Sequence, residues 1–310
     1  MNMLSKAIGI DFGGTSIKSA VVQAGCLIER GEPIDTQHFH TSDSLIAAIV
    51  EVIGSLRAVH PEVAGIGCGL PGFVDSVNGI VHELTNVSGW HEVPLRAQLT
   101  ARTGLPTIIE NDANAMAYGE FKHGAARGFR HVICVTLGTG VGGALILEGK
   151  LFRGAQLAAG ELGHASIDYR GRPGHYGNPG ELEEFVGNHQ IAERASGLYR
   201  AAGRNVPIER CTPLDLAKAA ANGDATARAL WDSVGTEIGS ALANAVWLVN
   251  PDAIVIGGGV ANAGELVFEP IRRTIRKRTL QLFHEKLQVL PATLGNDAGI
   301  IGNAELALEG

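Results

Sequence analysis

The same short pattern begins each half of the 310-residue chain: an apolar strand, a glycine-rich turn and a second apolar strand. The first turn is residues 11–15, Asp-Phe-Gly-Gly-Thr, and the second is residues 138–143, Gly-Thr-Gly-Val-Gly-Gly. A repeated pattern of this kind predicts an internal structural repeat. Glycines such as Gly13 and Gly14 permit positive φ and let the backbone approach a ligand, and such turns can bind phosphate oxygens. We therefore expect two similar α/β halves, each with a phosphate-binding turn.

Hydrophobic periodicity predicts the order β-β-β-α-β-α-β-α for the first half. The expected strands there are residues 7–10, 17–22, 26–30, 63–70 and 106–109, and the expected helices are 43–59 (capped by Ser42 or Asp43), 93–102 and 113–123. In the second half the expected strands are 131–137, 144–147, 150–153, 253–256 and 286–290, and the helical segments are 194–229, 233–249 and 298–308. This alternation of strands and helices is typical of an α/β protein.

Composition argues against several classes of function. The net charge is −7, whereas a general nucleic-acid binder needs a basic face. No apolar run reaches the ~18 residues that suggest a membrane span, and the N-terminus lacks the layout of a signal peptide. Three of the four cysteines lie inside apolar runs, which favours buried thiols in a cytoplasmic enzyme. We therefore expect a cytoplasmic protein without nucleic-acid or membrane partners.

Residues 110–114, Glu-Asn-Asp-Ala-Asn, lie where the strand 106–109 ends and the helix 113–123 begins. Such a junction directs a side chain into the crevice at the carboxyl ends of the strands, where open α/β sheets bind ligands. Asp112 is therefore a candidate catalytic carboxylate. The alternative is that Asp112 only caps the helix, because Asp and Asn are preferred at the N-cap.

Two further features indicate a phosphate ligand. Asp11 ends the first strand, where a carboxylate can hold Mg²⁺ directly or through water; the alternative is an ordinary hairpin with a solvated Asp. A third glycine block, residues 257–259, follows the strand 253–256. Three glycine blocks in one chain favour a polyphosphate ligand.

The loop 154–184 carries the remaining candidate groups. It contains residues 160–164, Gly-Glu-Leu-Gly-His, and residues 177–183, Gly-Asn-Pro-Gly-Glu-Leu-Glu. Carboxylate and imidazole groups in such a Gly/Pro-rich loop can hydrogen-bond a polyol. The alternative is a solvated loop whose charges face water.

Five blocks of the sequence resemble the ROK family of sugar kinases, which belongs to the actin–hexokinase–Hsp70 superfold. In the family's order they are residues 11–15, 110–114, 137–143, 160–164 and 256–260. The resemblance covers nearly the whole chain and implies a two-domain actin-like (ribonuclease H-like) ATPase fold, with duplicated βββαβαβα units and a cleft between them. The first domain would be residues 1–112 with a C-terminal helix at about 298–310. The second would be residues 113–297 with the sugar-binding loop 154–184.

The resemblance also implies roles for individual residues. Asp112 would be the general base for the sugar hydroxyl. The sugar contacts would be Asn86, Asn111, Asp112, Glu161, His164 and Glu183. The residues that hold ATP would be Asp11, Gly13, Gly14, Thr15, Lys18, Gly138, Thr139, Gly140, Gly257, Gly258 and Gly259. Mg²⁺ would bridge the ATP oxygens, with Asp11 as its protein-side partner through water.

One block departs from the family pattern. Many members bind a structural Zn²⁺ with the histidine that corresponds to His164 and three cysteines, and those cysteine positions here hold Gly174, Tyr176 and Glu181. Thiolates are what a structural zinc site needs. His164, His175 and Glu181 are the candidates for a replacement site, but we expect no zinc, with hydrogen bonds or packing holding the loop. The polyphosphate-using glucokinases of the family also lack the cysteines, which leaves polyphosphate as an alternative donor.

We therefore expect an ATP-dependent hexose kinase, a glucokinase that acts as a homodimer. Alternative acceptors are N-acetylglucosamine, N-acetylmannosamine, fructose and allose. Another class of function is a sugar-responsive binding or regulatory protein without catalysis. Only ten residues precede Asp11, so we expect no helix-turn-helix domain like that of the family's repressors. An actin-like filament protein or chaperone ATPase would have no reason to keep Glu161, His164 and Glu183.

Overall fold

The computed structural model describes residues 5–84 and 89–310. Its contacts divide the chain into two compact units. Unit 1 comprises the described residues of Met1–Gly128, Leu151–Ala159 and Thr293–Gly310, and unit 2 comprises Phe129–Lys150 and Gly160–Ala292.

Strands and helices alternate through both units. The strands are β1 (Lys6–Phe12), β2 (Ser16–Gln23), β3 (Cys26–Arg30), β4 (Ile34–Asp35), β5 (Val63–Leu70), β6 (Val74–Asp75), β7 (Ile80–Glu83), β8 (His91–Val93), β9 (Thr107–Asn111), β10 (Val132–Leu137), β11 (Val141–Leu147), β12 (Lys150–Phe152), β13 (Ala253–Gly257) and β14 (Gln288–Pro291). The helices are α1 (Ser42–Val59), α2 (Leu95–Thr103), α3 (Asp112–His123), α4 (Glu183–Val186), α5 (Asn188–Ala201), α6 (Pro213–Ala221), α7 (Ala225–Val249), α8 (Glu265–Arg278), α9 (Gln281–His284) and α10 (Ala298–Glu309). Across the described residues, no helix has the length and apolar character that a membrane crossing requires.

The two main sheets repeat one topology. The strand order is β3-β2-β1-β5-β9 in the first sheet and β12-β11-β10-β13-β14 in the second. Of the five strands in each of these orders, the first in sequence pairs antiparallel with the second and parallel with the fourth, which pairs parallel with the fifth. The first sheet has a sixth strand, β4, which pairs with β2. The internal repeat predicted from the two glycine turns is therefore confirmed. Strands β6, β7 and β8 form a third, antiparallel sheet in the order β6-β7-β8.

Close helix packing in unit 1 depends on two glycines. A Cβ on Gly119 of α3 would lie 2.3 Å from the carbonyl oxygen of Ala298, and one on Gly302 of α10 would lie 1.7 Å from that of Ala115. The buried carboxylate of Glu120 also accepts hydrogen bonds from the backbone N–H groups of residues 293 and 294. These contacts hold α3 in unit 1, whereas the domains expected from the sequence divide the chain at residue 112.

Helix α1 follows its predicted apolar pattern, whereas its cap and a longer predicted helical segment differ from the sequence expectation. The predicted stripe of α1 is buried and includes Ile46, Ile49 and Ile53. The N-cap of α1 is Thr41, not Ser42 or Asp43, because the Thr41 hydroxyl accepts from the Ser44 N–H at 3.3 Å. The helical segment predicted at 194–229 is divided between α5, α6 and the first turn of α7.

Unit 2 is built around the long helix α7. Trp231, Val234, Ile238 and Leu242 of this helix are buried with the apolar residues of β10 and β13. A Cβ on Gly235 would lie 2.7 Å from the carbonyl oxygen of Val267, so glycine allows α8 to pack closely on α7. This layer supports the carboxyl ends of the unit 2 strands.

Candidate active site

In unit 1, strands β1, β5 and β9 run parallel and end at one edge of the sheet. Asp11 of β1 lies opposite Gly69 of β5, and Leu70 of β5 lies opposite Asn111 of β9. Open α/β sheets bind ligands at the carboxyl ends of their strands. The structure therefore brings Asp11 and the residues after β9 to the same ligand-binding edge.

The first glycine turn exposes its backbone at this edge. Gly13, Gly14 and Thr15 are exposed, and the Gly13 N–H donates to the carbonyl oxygen of Ser16 at 2.9 Å. Gly13, although glycine permits positive φ, does not adopt one. Glycine is needed there for another reason, since a Cβ would lie 2.9 Å from the same Ser16 oxygen.

Asp11 lies in an environment that suits a cation. Burial raises the pKa of the Asp11 carboxyl, and the charge of Lys18, its partner across β1 and β2, lowers that pKa only in part. A Cβ on Gly299, in the first turn of α10, would lie 3.0 Å from the Oδ1 of Asp11. A partly buried carboxylate oxygen that lacks a full counter-charge is a hard ligand of the kind that Mg²⁺ prefers. The donor chemistry of Asp11 therefore fits a divalent cation.

The strand–helix junction separates the roles of Asn111 and Asp112. The Asn111 side chain is the N-cap of α3, because its Oδ1 accepts from the Asn114 N–H at 3.1 Å. Asp112 is the first helical residue, and its Oδ1 accepts from the Ala113 N–H at 2.8 Å. Asn111, not Asp112, is therefore the N-cap residue of α3, although Asp112 also accepts from an N–H of the first turn. Its carboxylate lies at a helix N-terminus, where the helix dipole favours negative charge.

Glu110 is a residue of this junction that the sequence reasoning missed. Its side chain is only 2% exposed and accepts from three donors: Arg153 Nε at 2.7 Å, Asn114 Nδ2 at 2.9 Å and the Asn111 N–H at 3.0 Å. The available signal was a charged residue at the end of an apolar strand, since a buried carboxylate needs partners. Glu110 therefore fixes the backbone that presents Asn111.

The first half of the chain contains two other candidate binding residues, Lys18 and Asn86. Lys18 is exposed on β2. Asn86, a candidate sugar contact, lies outside the described residues.

In unit 2, the second and third glycine blocks lie side by side. Thr136 of β10 pairs with Gly257 of the adjacent parallel strand β13, so residues 138–140 and 257–259 follow neighbouring strand ends. Gly258 adopts φ +88°, and a Cβ there would lie 2.2 Å from the carbonyl oxygen of Leu137. The Thr139 side chain is exposed. The structure therefore brings the two predicted nucleotide-binding blocks together.

Glu161, His164 and Glu183 form a charged cluster in unit 2. Burial raises the pKa of the Glu161 carboxyl, the charge of His164 lowers it, and the negative charge of Glu183 raises it further. The loop that carries Glu161 packs tightly on β11, because a Cβ on Gly163 would lie 2.2 Å from the carbonyl oxygen of Val141. Three of the predicted sugar contacts are thus close to one another.

Glu183 also connects this cluster to the second glycine turn. Its Oε2 accepts from the Val141 N–H at 2.8 Å, and a Cβ on Gly140 would lie 2.4 Å from the same oxygen. The Asn188 N–H donates to the carbonyl oxygen of Gly138 at 2.9 Å. The start of α4 and α5 therefore supports the turn that was predicted to hold phosphate.

Hydrogen bonds and packing hold the loop in which the family pattern has cysteines. His164 Nδ1 and Glu181 Oε2 are 2.8 Å apart, and Glu181 is 1% exposed. The Tyr176 ring contacts the His164 ring edge-on at a centroid distance of 4.9 Å. Among the described residues, no group of three or more His, Cys, Asp and Glu side chains could hold a metal ion.

Each unit carries chemical groups of its own. Unit 1 supplies an exposed glycine turn and the Asp112 carboxylate at a helix N-terminus. Unit 2 supplies a second glycine turn and the cluster of Glu161, His164 and Glu183, whose groups can accept hydrogen bonds from hydroxyls. Glycine turns suit phosphate oxygens, so unit 1 by itself has groups for phosphate and a carboxylate base, and unit 2 by itself has groups for phosphate and a polyol.

Known proteins of similar sequence align with nearly the whole of this chain. The model of the ROK family matches residues 7–310. A glucokinase of Halalkalibacterium halodurans is 34% identical, over 96% of this chain and 94% of that protein. A glucokinase of Thermotoga maritima is 34% identical, over 98% of each chain.

A solved structure has the same fold. The ROK family glucokinase from Streptomyces griseus, crystallised with glucose and AMPPNP, superposes with a TM-score of 0.83. It is 33% identical and the alignment covers 99% of this chain and 100% of that one. The two-domain actin-like α/β fold expected from the sequence is therefore confirmed.

Proposed function

Because this chain belongs to the ROK family, we propose that it is an ATP-dependent glucokinase. The reaction transfers the γ-phosphoryl group of ATP to the 6-hydroxyl of glucose. The observation that carries the proposal is the β9–α3 junction, where Asn111 caps the helix and Asp112 follows it at the ligand-binding edge. The two relatives named glucokinase, each 34% identical, support glucose as the acceptor.

The general base in this proposal is Asp112. Its carboxylate accepts the proton of the 6-hydroxyl as that oxygen bonds to the γ-phosphorus and the bond to ADP breaks. A carboxylate at a helix N-terminus is stabilised in its charged form, so the proton transfers late, when the hydroxyl oxygen has already begun to bond phosphorus. Phosphoryl transfer asks little more of the protein than positioning and charge neutralisation.

In this proposal glucose is held by hydrogen bonds to side chains. Glu161, His164 and Glu183 accept from its hydroxyls, and Asn111 supplies an amide next to the base. Asn86 is a further proposed contact. Hydrogen-bonding sites of this kind discriminate strongly against analogues that lack the matching hydroxyl, because the buried polar groups are then left unpaired.

ATP is held mainly by backbone groups. The phosphates lie against residues 13–15 and 138–140, where the N–H groups of Gly14 and Gly140 and the hydroxyls of Thr15 and Thr139 are donors, and residues 257–259 lie near the adenosine. Lys18 adds positive charge beside the first turn. Bound Mg²⁺ neutralises negative charge on the phosphate oxygens, and Asp11 is the residue whose donor chemistry fits it.

We also propose that the enzyme acts as a homodimer in the cytoplasm. Cys68, Cys134 and Cys211 are buried thiols and Cys26 is an exposed one, which suits a reducing compartment. The family resemblance supports the dimer. Light scattering after gel filtration should give a mass twice that of one chain, and a monomer at micromolar concentration would contradict the dimer.

The protein should work without zinc. The residues at the family's cysteine positions, Gly174, Tyr176 and Glu181, supply no thiolate. Metal analysis of protein purified in metal-free buffer should therefore find far less than one zinc per chain. About one equivalent of tightly bound zinc would contradict this expectation.

The proposed function is tested by a sugar panel. ADP release with ATP and Mg²⁺ should be fastest with glucose among glucose, mannose, fructose, allose, N-acetylglucosamine and N-acetylmannosamine. Polyphosphate is tested separately, through formation of sugar phosphate. Turnover with a different sugar would replace the acceptor, and turnover only with polyphosphate would replace the donor. No turnover with any pair in folded protein would overturn the kinase proposal.

A further inference from the structure

The buried carboxylate of Glu181 contacts the imidazole of His164 directly. Glu181 Oε2 lies 2.8 Å from His164 Nδ1, and the Glu181 side chain is 1% exposed while that of His164 is 28% exposed. Within the described part of the chain, the other carboxylate oxygen of Glu181, Oε1, has no hydrogen-bond partner. The imidazole is therefore the side chain that satisfies this carboxylate.

Backbone contacts fix Glu181 in this position. Ser166 and Glu181 form an antiparallel bridge, and the Leu182 N–H donates to the carbonyl oxygen of Ala165 at 3.0 Å. A Cβ on Gly174 would lie 2.2 Å from the Glu181 carboxyl carbon, so the neighbouring backbone closes over the carboxylate. Glu181 cannot turn towards solvent without disrupting this part of the loop.

His164 is also restrained by its other neighbours. The Asn178 side-chain amide donates to the His164 carbonyl oxygen at 2.8 Å. The Tyr176 ring contacts the imidazole edge-on at 4.9 Å between centroids. The orientation of the imidazole is thus set by a carboxylate, a ring and a backbone contact.

The contact with a carboxylate determines which imidazole nitrogen carries the proton. An ionised carboxylate only accepts hydrogen bonds, so the hydrogen between Glu181 and His164 must belong to Nδ1. In a neutral imidazole with Nδ1 protonated, Nε2 has a lone pair and acts as an acceptor. A sugar hydroxyl is a suitable donor to that nitrogen.

We propose that Glu181 is a positioning residue that holds His164 as the Nδ1–H tautomer, so that Nε2 accepts a hydrogen bond from a hydroxyl of the sugar. The proposal rests on the proposed function, because it assigns a role to one of its sugar contacts. It adds a residue that touches neither substrate, and it specifies that His164 recognises a hydroxyl group as the donor.

The tautomer can be measured without any assay of activity. Full-length protein labelled with ¹⁵N-histidine is examined by NMR at pH 8.5, where an ordinary histidine is neutral, and the His164 signals are assigned with His164→Gln. We expect a protonated Nδ1 and an unprotonated Nε2 in the wild type. In Glu181→Ala this preference should be lost. An Nε2–H tautomer for His164 in the wild type would overturn the proposal.

Kinetics test the consequence for sugar binding. Glu181→Ala should raise KM for glucose by up to about tenfold, as expected for the loss of an oriented hydrogen bond between neutral groups. KM for ATP and kcat should stay within about threefold. Glu181→Gln keeps an acceptor for Nδ1–H, so its KM for glucose should remain within about threefold of the wild type.

The control is Glu184→Ala. This change removes a carboxylate three residues away that pairs with Arg172 at 2.9 Å and does not contact His164. Its KM for glucose should remain near that of the wild type. Equal KM effects for Glu184→Ala and Glu181→Ala, or a Glu181→Ala variant with unchanged KM, would contradict the proposal.

The two proposals fail in distinguishable ways. If wild-type protein phosphorylates no sugar while His164 is the Nδ1–H tautomer, the proposed function fails and the role of Glu181 in setting the tautomer stands. If the wild type phosphorylates glucose while His164 is the Nε2–H tautomer, the role of Glu181 fails alone. If Glu181→Ala does not fold, the wild-type tautomer and Glu181→Gln still decide the question.

Discussion

At the scale of single residues, the carboxylates of this chain differ in role because their environments differ, not because of residue type. Glu110 is buried with three donors, Glu183 accepts from the backbone of the glycine turn, and Asp112 lies at a helix N-terminus. Glu161 differs, because burial raises the pKa of its carboxyl and the nearby Glu183 adds to the effect. The titration of Glu161 should therefore be visible in sugar binding.

The pH dependence of KM for glucose tests the role of Glu161. Because its pKa is raised, Glu161 becomes protonated at a higher pH than an ordinary Glu, and a neutral carboxyl is a weaker acceptor for sugar hydroxyls. KM for glucose should rise as the pH falls through this raised pKa. In Glu161→Gln, KM should be higher by about tenfold and independent of pH in that range. The exposed Glu209→Gln is the control.

The titration of Glu161 should also affect the stability of the fold, and here the protonated form is the favourable one. Since burial favours the neutral form of Glu161, its contribution to the free energy of unfolding is greatest at low pH and falls as pH rises through the raised pKa. At pH 8, Glu161→Gln should therefore have a Tm at or above that of the wild type. A clear loss of Tm would show that the carboxylate is stabilised in the folded protein.

At the scale of elements, a glycine allows the ends of strands β10 and β13 to lie close to each other. Gly258 and Gly259 are adjacent, but only Gly258 has positive φ and a backbone atom where a Cβ would lie. Gly258→Ala should lower the free energy of unfolding by about 1–3 kcal/mol or more from strain at this φ, and should raise KM for ATP. A Cβ on Gly259 would meet open space, with no atom outside its chain neighbours within 4 Å, so Gly259→Ala should leave the free energy of unfolding near that of the wild type. Equal effects in urea unfolding would contradict this account.

Sequence patterns predicted the elements better than their ends. Strand β5 and helix α1 were expected within one residue of their observed bounds because their apolar patterns are regular. The caps of α1 and α3 were not resolved, since Thr41, Ser42 and Asp43, or Asn111 and Asp112, all favour the N-cap. The choice depends on which hydroxyl or amide reaches the first N–H groups, and that is a property of the folded backbone.

At the scale of the whole molecule, the repeat was predictable and the division of the chain was less so. Two glycine turns in similar surroundings were enough to predict two sheets of one topology. The return of residues 151–159 to unit 1 depends on contacts between distant segments, such as Arg153 with Glu110. Periodicity carries no information about such contacts. For the same reason the sequence identified Glu161 and His164 as candidates but not the role of Glu181.

The measurement that tests the central claim most directly is kcat for glucose phosphorylation in Asp112→Asn. The account predicts a loss of ~10²-fold or more, the usual scale for a general base, with little change in KM for glucose and ATP. Asp43→Asn is the matched control, because Asp43 also lies in the first turn of a unit 1 helix but is 79% exposed; its kcat should be unchanged. Near-normal kcat in Asp112→Asn would contradict the account.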